Sequence, residues 1–121
     1  MSIKRVLAVT VFGLATVVTT SALAHAKLQS SDPQAGSTLG AAPKQVRLKF
    51  NEALEPAFSK IKLSGPQKNE IPITATSVDK ADPTVMTAPL PALSPGEYHI
   101  RWSTMTHDGH KTKGEVTFKI K

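Results

Sequence analysis

Leu93-Ser94-Pro95-Gly96-Glu97-Tyr98-His99-Ile100-Arg101-Trp102 is the stretch whose reading decides the fold. Its first half, Leu-x-Pro-Gly-x-Tyr, has the pattern of a tyrosine corner, in which the tyrosine hydroxyl bonds back to nearby backbone in Greek-key sandwiches. Its second half alternates. Tyr98, Ile100 and Trp102 share one face of an extended chain, and His99 and Arg101 share the other. His99 therefore reads as a solvated strand residue.

Working outward, the same alternation recurs. Val116, Phe118 and Ile120 point one way within Lys113–Lys121, which predicts the last strand. Val46, Leu48 and Phe50 oppose Gln45, Arg47 and Lys49, which predicts a half-buried strand over 45–50. Shorter strands are expected over 26–31, 60–63, 71–78 and 85–87. Asp32-Pro33-Gln34-Ala35-Gly36, Gly65-Pro66 and Asp82-Pro83 are turn signals, and Pro56 limits any helix between Asn51 and Ala57. About seven short strands and no long helical period predict an all-β chain, a small antiparallel Greek-key β-sandwich or barrel.

The N-terminus has a different character. Lys4 and Arg5 precede an apolar run from Val6 to Val18, and Ala22-Leu23-Ala24 is a small-x-small cleavage pattern. A membrane anchor needs about 20 apolar residues, and Thr19-Thr20-Ser21 end this run early. Residues 1–24 thus read as a cleaved signal peptide and 25–121 as one mature domain of 97 residues, enough for a single core. Removing Lys4 and Arg5 takes the net charge from +6 to +4, with 13 basic residues against 9 acidic. The basic residues are scattered and aromatics are few, so no nucleic-acid footprint is present. Absence of cysteine excludes disulfides, thiolate zinc sites and iron–sulfur clusters.

Thr106-His107-Asp108-Gly109-His110 carries the candidate chemistry. An Asp-x-His pair in extended chain places both side chains on one side. Two donors hold a transition metal poorly, and a polar loop with a turn is the plain alternative. Cleavage after Ala24 changes the count. It makes His25 the first mature residue, with an amine and an imidazole on one residue. With Asp108 and His110 the set becomes three nitrogens and one oxygen, which suits tetragonal Cu(II). His107 has the opposite strand parity from Asp108 and is expected at the rim of the site.

Together these residues resemble the CopC family of periplasmic copper-binding proteins. The likeness rests on His25-Ala26-Lys27-Leu28, Ser31-Asp32-Pro33, Ala42-Pro43, Leu48-Lys49-Phe50-Asn51-Glu52 and Pro95-Gly96-Glu97-Tyr98. It continues through Trp102 and Asp108-Gly109-His110 to Gly114-Glu115-Val116-Thr117-Phe118. The resemblance implies a cupredoxin-like or Ig-like sandwich. It implies one Cu(II) per chain held by His25, Asp108 and His110, with Glu52 close to the metal. It also implies a periplasmic carrier or buffer in copper homeostasis or resistance, not an enzyme, with an inner-membrane copper transport protein as a partner. A monomer is expected. Some members carry a second, Cu(I) site in a methionine-rich loop. Here Leu63–Val78 contains neither Met nor His, and Met86 and Met105 are isolated, so only Cu(II) binding is expected.

Two other functions remain open on sequence. One is a copper-dependent oxidative enzyme of the polysaccharide monooxygenase kind, which also uses an N-terminal His but needs an open metal position and a broad aromatic surface. The other is a metal-free Ig-like interaction module.

Overall fold

The computed structural model describes Gly13 and residues 26–121. The signal peptide expected at 1–24 and the candidate ligand His25 lie, apart from Gly13, outside the described residues.

Among the described residues nine strands make two sheets. The first holds β1 (Leu28–Asp32), β3 (Gln45–Phe50), β7 (Val85–Pro89) and β6 (Ser77–Val78), in that order and all antiparallel. The second holds β2 (Thr38–Leu39), β9 (Lys111–Ile120), β8 (Gly96–Met105), β4 (Lys60–Ser64) and β5 (Glu70–Ile71). Its pairs are antiparallel except β2, which joins the edge of β9 in parallel. A 3-10 turn, Pro56–Phe58, precedes β4.

Alternation accounts for the way the sheets face each other. Val46, Leu48 and Phe50 are buried on β3, as are Tyr98, Ile100 and Trp102 on β8 and Val116, Phe118 and Ile120 on β9. The two layers meet where the Phe50 ring stands edge-on to Trp102, with centroids 4.9 Å apart. Tyr98 stacks on Phe118. Full burial of each large side chain contributes about 1.5–3 kcal/mol. The corner read from sequence is present, with the Tyr98 hydroxyl donating to the Ser94 carbonyl at 2.6 Å. The Asp82-Pro83 turn is closed by the Val85 amide on the Asp82 carbonyl and by the Thr84 amide and hydroxyl on the Asp82 carboxylate.

Three strand readings change. The expected strand over 71–78 is two fragments in different sheets, β5 and β6, because Pro72 has no amide to continue a ladder. Ile73 still packs against the core, and the Thr76 hydroxyl accepts from the Ile61 amide. The first strand starts at Leu28, two residues later than expected. The hairpin strands β8 and β9 are longer than read, ten residues each.

Candidate metal centre

The β8–β9 hairpin sets the position of Asp108 and His110. These strands pair in register from Gly96↔Ile120 to Met105↔Lys111, leaving Thr106–His110 as the connection. Within it the Thr106 amide donates to the His110 carbonyl at 3.0 Å and the Gly109 amide to the Thr106 carbonyl at 2.9 Å. Gly109 lies at φ +85°, a left-handed conformation that glycine adopts without the cost of a Cβ. The Asp-x-His segment is therefore a tight turn, not extended chain. It brings the two side chains together all the same.

The His110 Nδ1 proton is donated to Asp108 Oδ2 at 2.8 Å. In a neutral ring this tautomer leaves the lone pair on Nε2. Asp108 Oδ1 accepts from the hydroxyl of Thr106, which is itself buried. That hydroxyl bond, aided by the His110 ring and backbone, holds the Asp108 carboxyl below its usual range, although desolvation pushes the other way. Both side chains stay open, at 45% exposure for Asp108 and 40% for His110. The result is an ionised oxygen donor and an oriented imidazole side by side at the surface.

A second segment braces this turn. Leu54 makes an isolated bridge to Thr106, and the Glu55 amide donates to the Met105 carbonyl at 2.8 Å. The Glu55 carboxylate accepts from His107 Nδ1. His107 is thus turned toward Glu55. Nothing in the sequence signalled Glu55, since the contact spans 52 residues.

The chain's first described residues converge on the same place. Ala26 is buried, at 3% exposure, and its carbonyl accepts from the Thr112 hydroxyl at 2.9 Å. Thr112 in turn shares a 2.8 Å hydroxyl bond with the buried Thr104 opposite it on β8. Because the Thr112 proton goes to Ala26, Thr104 is the donor in that bond. The Lys27 amide donates to the Asn51 side chain at 2.6 Å, and the Asn51 amide donates back to the Lys27 carbonyl at 3.1 Å. Glu52, the next residue, sits half-buried on the same loop. β1 itself pairs with β3 in the opposite sheet, and the two residues before it cross to Thr112.

His99 points elsewhere. It lies on the outer face of β8, with Nδ1 2.6 Å from Glu115 and Nε2 3.6 Å from Glu97. Met86 is fully buried in β7 and Met105 is half-buried in β8. Among the described residues no group of three or more His, Cys, Asp or Glu side chains has metal-binding geometry.

Comparison with known proteins gives a consistent result. A family model described as the CopC domain matches residues 28–121. The chain is 38% identical over 106 residues to protein YobA of Escherichia coli K12, covering 87% of this chain and 86% of that one. It is 36% identical over 127 residues to copper resistance protein C of Pseudomonas syringae pv. tomato, across the full length of both. Among solved structures, CopC from Methylosinus trichosporium OB3b superposes with a TM-score of 0.72 at 26% identity, covering 79% of this chain and 93% of that one. PcoC, a methionine-rich copper resistance protein from Escherichia coli, superposes with a TM-score of 0.68 at 36% identity, covering 81% of this chain and all of that one.

Proposed function

The chain belongs to the CopC family, and from that premise we propose that it is an exported Cu(II) carrier or buffer. In this reading residues 1–24 are removed on export to the periplasm. His25 then chelates Cu(II) through its amine and imidazole, Asp108 and His110 complete the set, and each chain carries one ion. Three nitrogens and one carboxylate suit the tetragonal preference of Cu(II). The work is coordination: the ion is held, shielded and handed to a transport protein of the inner membrane.

One observation carries the proposal. The Thr112 hydroxyl fixes the Ala26 carbonyl two residues beyond His110. Ala26 is therefore anchored two residues along β9 from His110, which supports a reading in which a donor one residue earlier in the chain joins Asp108 and His110. Asn51 holds the Lys27 backbone, and in this reading Glu52, the next residue, lies close to the metal. His107 stays at the rim through Glu55.

Cu(II) alone is favoured because a thioether site for Cu(I) has little to draw on. PcoC is described as methionine-rich. Here Met86 is fully buried, and the stretch 63–78 has neither Met nor His. An oxidative enzyme acting on glycans needs exposed aromatic rings, yet Trp102 and Tyr98 are buried at 9% and 3% exposure.

The test is a Cu(II) titration of protein with His25 as its first residue, read by electron paramagnetic resonance. One equivalent with a nitrogen-rich tetragonal spectrum is expected. A protein that takes up no Cu(II) at one equivalent would return the chain to the metal-free module. Protons compete with the metal for amine and imidazole, so affinity should weaken in mildly acidic buffer.

A further inference from the structure

The outer face of the five-stranded sheet begins one residue from His110 and carries an unusual concentration of charge. Strand register places Lys60 on β4 opposite Ser103 on β8, and Ser103 opposite Lys113 on β9. In the neighbouring row Lys62, Arg101 and Glu115 line up. Lys111 adds a further cation beside Met105 at the site end of the hairpin. All five cations are exposed. Among the described residues none has a carboxylate within 4.0 Å, whereas Lys49 and Lys119 elsewhere do. Phe58 stands at the edge of this face. Among the described residues it is the one large apolar side chain left open, at 60% exposure. Between Phe58 and the stems of Lys60, Lys111 and Lys113 lies a depression of about 530 Å³.

Unneutralised cations on adjacent positions of one sheet repel each other, so their clustering weakens the free protein slightly and favours an anionic partner. We propose that this face, formed by Lys60, Lys62, Arg101, Lys111 and Lys113 with Phe58 at its rim, docks an acidic segment of a partner protein that exchanges metal with the neighbouring site. The metal-exchange part rests on the function proposed above. Spacing suits a peptide. Residues i and i+2 of a strand are about 6.6–6.8 Å apart, and Lys60 with Lys62 on β4 and Lys111 with Lys113 on β9 have that spacing in sequence. Alternate carboxylates of an extended acidic segment repeat at the same distance. The depression beside Phe58 takes one apolar side chain, which supplies specificity that charge alone lacks. A lipid surface fits less well. Cations at a headgroup layer each add a modest attraction, but stable attachment needs a substantial apolar anchor, and one phenylalanine is a small one.

The experiment uses a fluorescent glutamate-rich peptide with one central leucine as probe, and vesicles of phosphatidylcholine and phosphatidylglycerol as the competing surface. Anisotropy and co-sedimentation are measured for wild type, the Lys60→Glu/Lys113→Glu double variant and Phe58→Ala, with circular dichroism to confirm folding. Wild type should bind the peptide, more weakly as salt rises. The double variant should lose at least about tenfold in affinity through like-charge contact, and Phe58→Ala should lose a smaller amount. Cu(II) titrations of all three should coincide. The proposal is overturned if the peptide does not bind, if charge reversal leaves its binding unchanged, or if the vesicles are bound in preference to it. A failed Cu(II) titration with intact peptide binding would instead remove the metal reading and leave the docking surface standing.

Discussion

The Thr112 hydroxyl donates to the Ala26 carbonyl across 2.9 Å, joining the first described residue of the domain to the start of β9. The bond does two things at once. It satisfies a buried backbone acceptor, and it anchors Ala26 two residues along β9 from His110. Thr112→Val keeps the shape and removes the donor. Loss of stability should be about 1 kcal/mol. Cu(II) affinity should fall by about 10–100-fold, the scale on which groups that orient metal ligands act. A variant that loses stability yet binds Cu(II) with unchanged affinity and an unchanged paramagnetic spectrum would show that the bond is structural only.

Thr106 holds the Asp108 carboxyl in its ionised form, and this has a definite pH signature. A lowered folded-state pKa gives stability that is fully present above the ordinary aspartate range and lost as pH falls through the folded value. In Thr106→Val the Asp108 pKa should rise toward its ordinary value of about 3.9. The stability gap between wild type and variant should therefore be widest near neutral pH and should narrow in acid. Carboxyl-detected NMR titration of metal-free protein reads the pKa directly. An Asp108 titration unmoved by the substitution would remove the hydroxyl as its cause.

Gly114 faces Trp102 across the hairpin, and a Cβ there would lie 2.4 Å from the indole ring. Gly114→Ala should cost about 1–3 kcal/mol through overpacking, with a change in tryptophan fluorescence as the ring shifts. Thermal denaturation equal to wild type would mean that the ring has room to move.

Strands built on alternating residues were legible because period-two alternation reports a buried face directly. Val46, Leu48 and Phe50 on β3, and Tyr98 to Trp102 on β8, are examples. The Tyr98–Ser94 corner was legible from a local motif. Fragments of two residues were not. Thr38–Leu39 pairs with β9 in parallel by tertiary placement, which no local pattern encodes. Asp108 and His110 were legible as neighbours, but for an incomplete reason: a glycine-dependent turn, not extended chain, unites them. The contacts of Thr112, Glu55 and Asn51 with Ala26, His107 and Lys27 had no signal, since they span 86, 52 and 24 residues. The cationic face likewise needs the register of three strands before scattered lysines become one surface.

His99 is the internal control for the site. Its ring lies between Glu97 and Glu115 on the outer face of β8. His99→Ala should leave Cu(II) stoichiometry and affinity as they are, while His110→Ala should weaken binding by removing a nitrogen donor. Equal losses in the two variants would mean that the metal is held on the sheet face.

The most direct test of the central claim is to add one glycine before His25. The added residue turns a basic amine into an amide and breaks the chelate ring, yet it changes no side chain of the core. Cu(II) affinity should drop by at least about tenfold, as expected when a ligand set is disturbed, while circular dichroism and the melting temperature of metal-free protein stay the same. An extended form that binds Cu(II) as tightly as the form beginning at His25, with the same paramagnetic spectrum, would contradict the account.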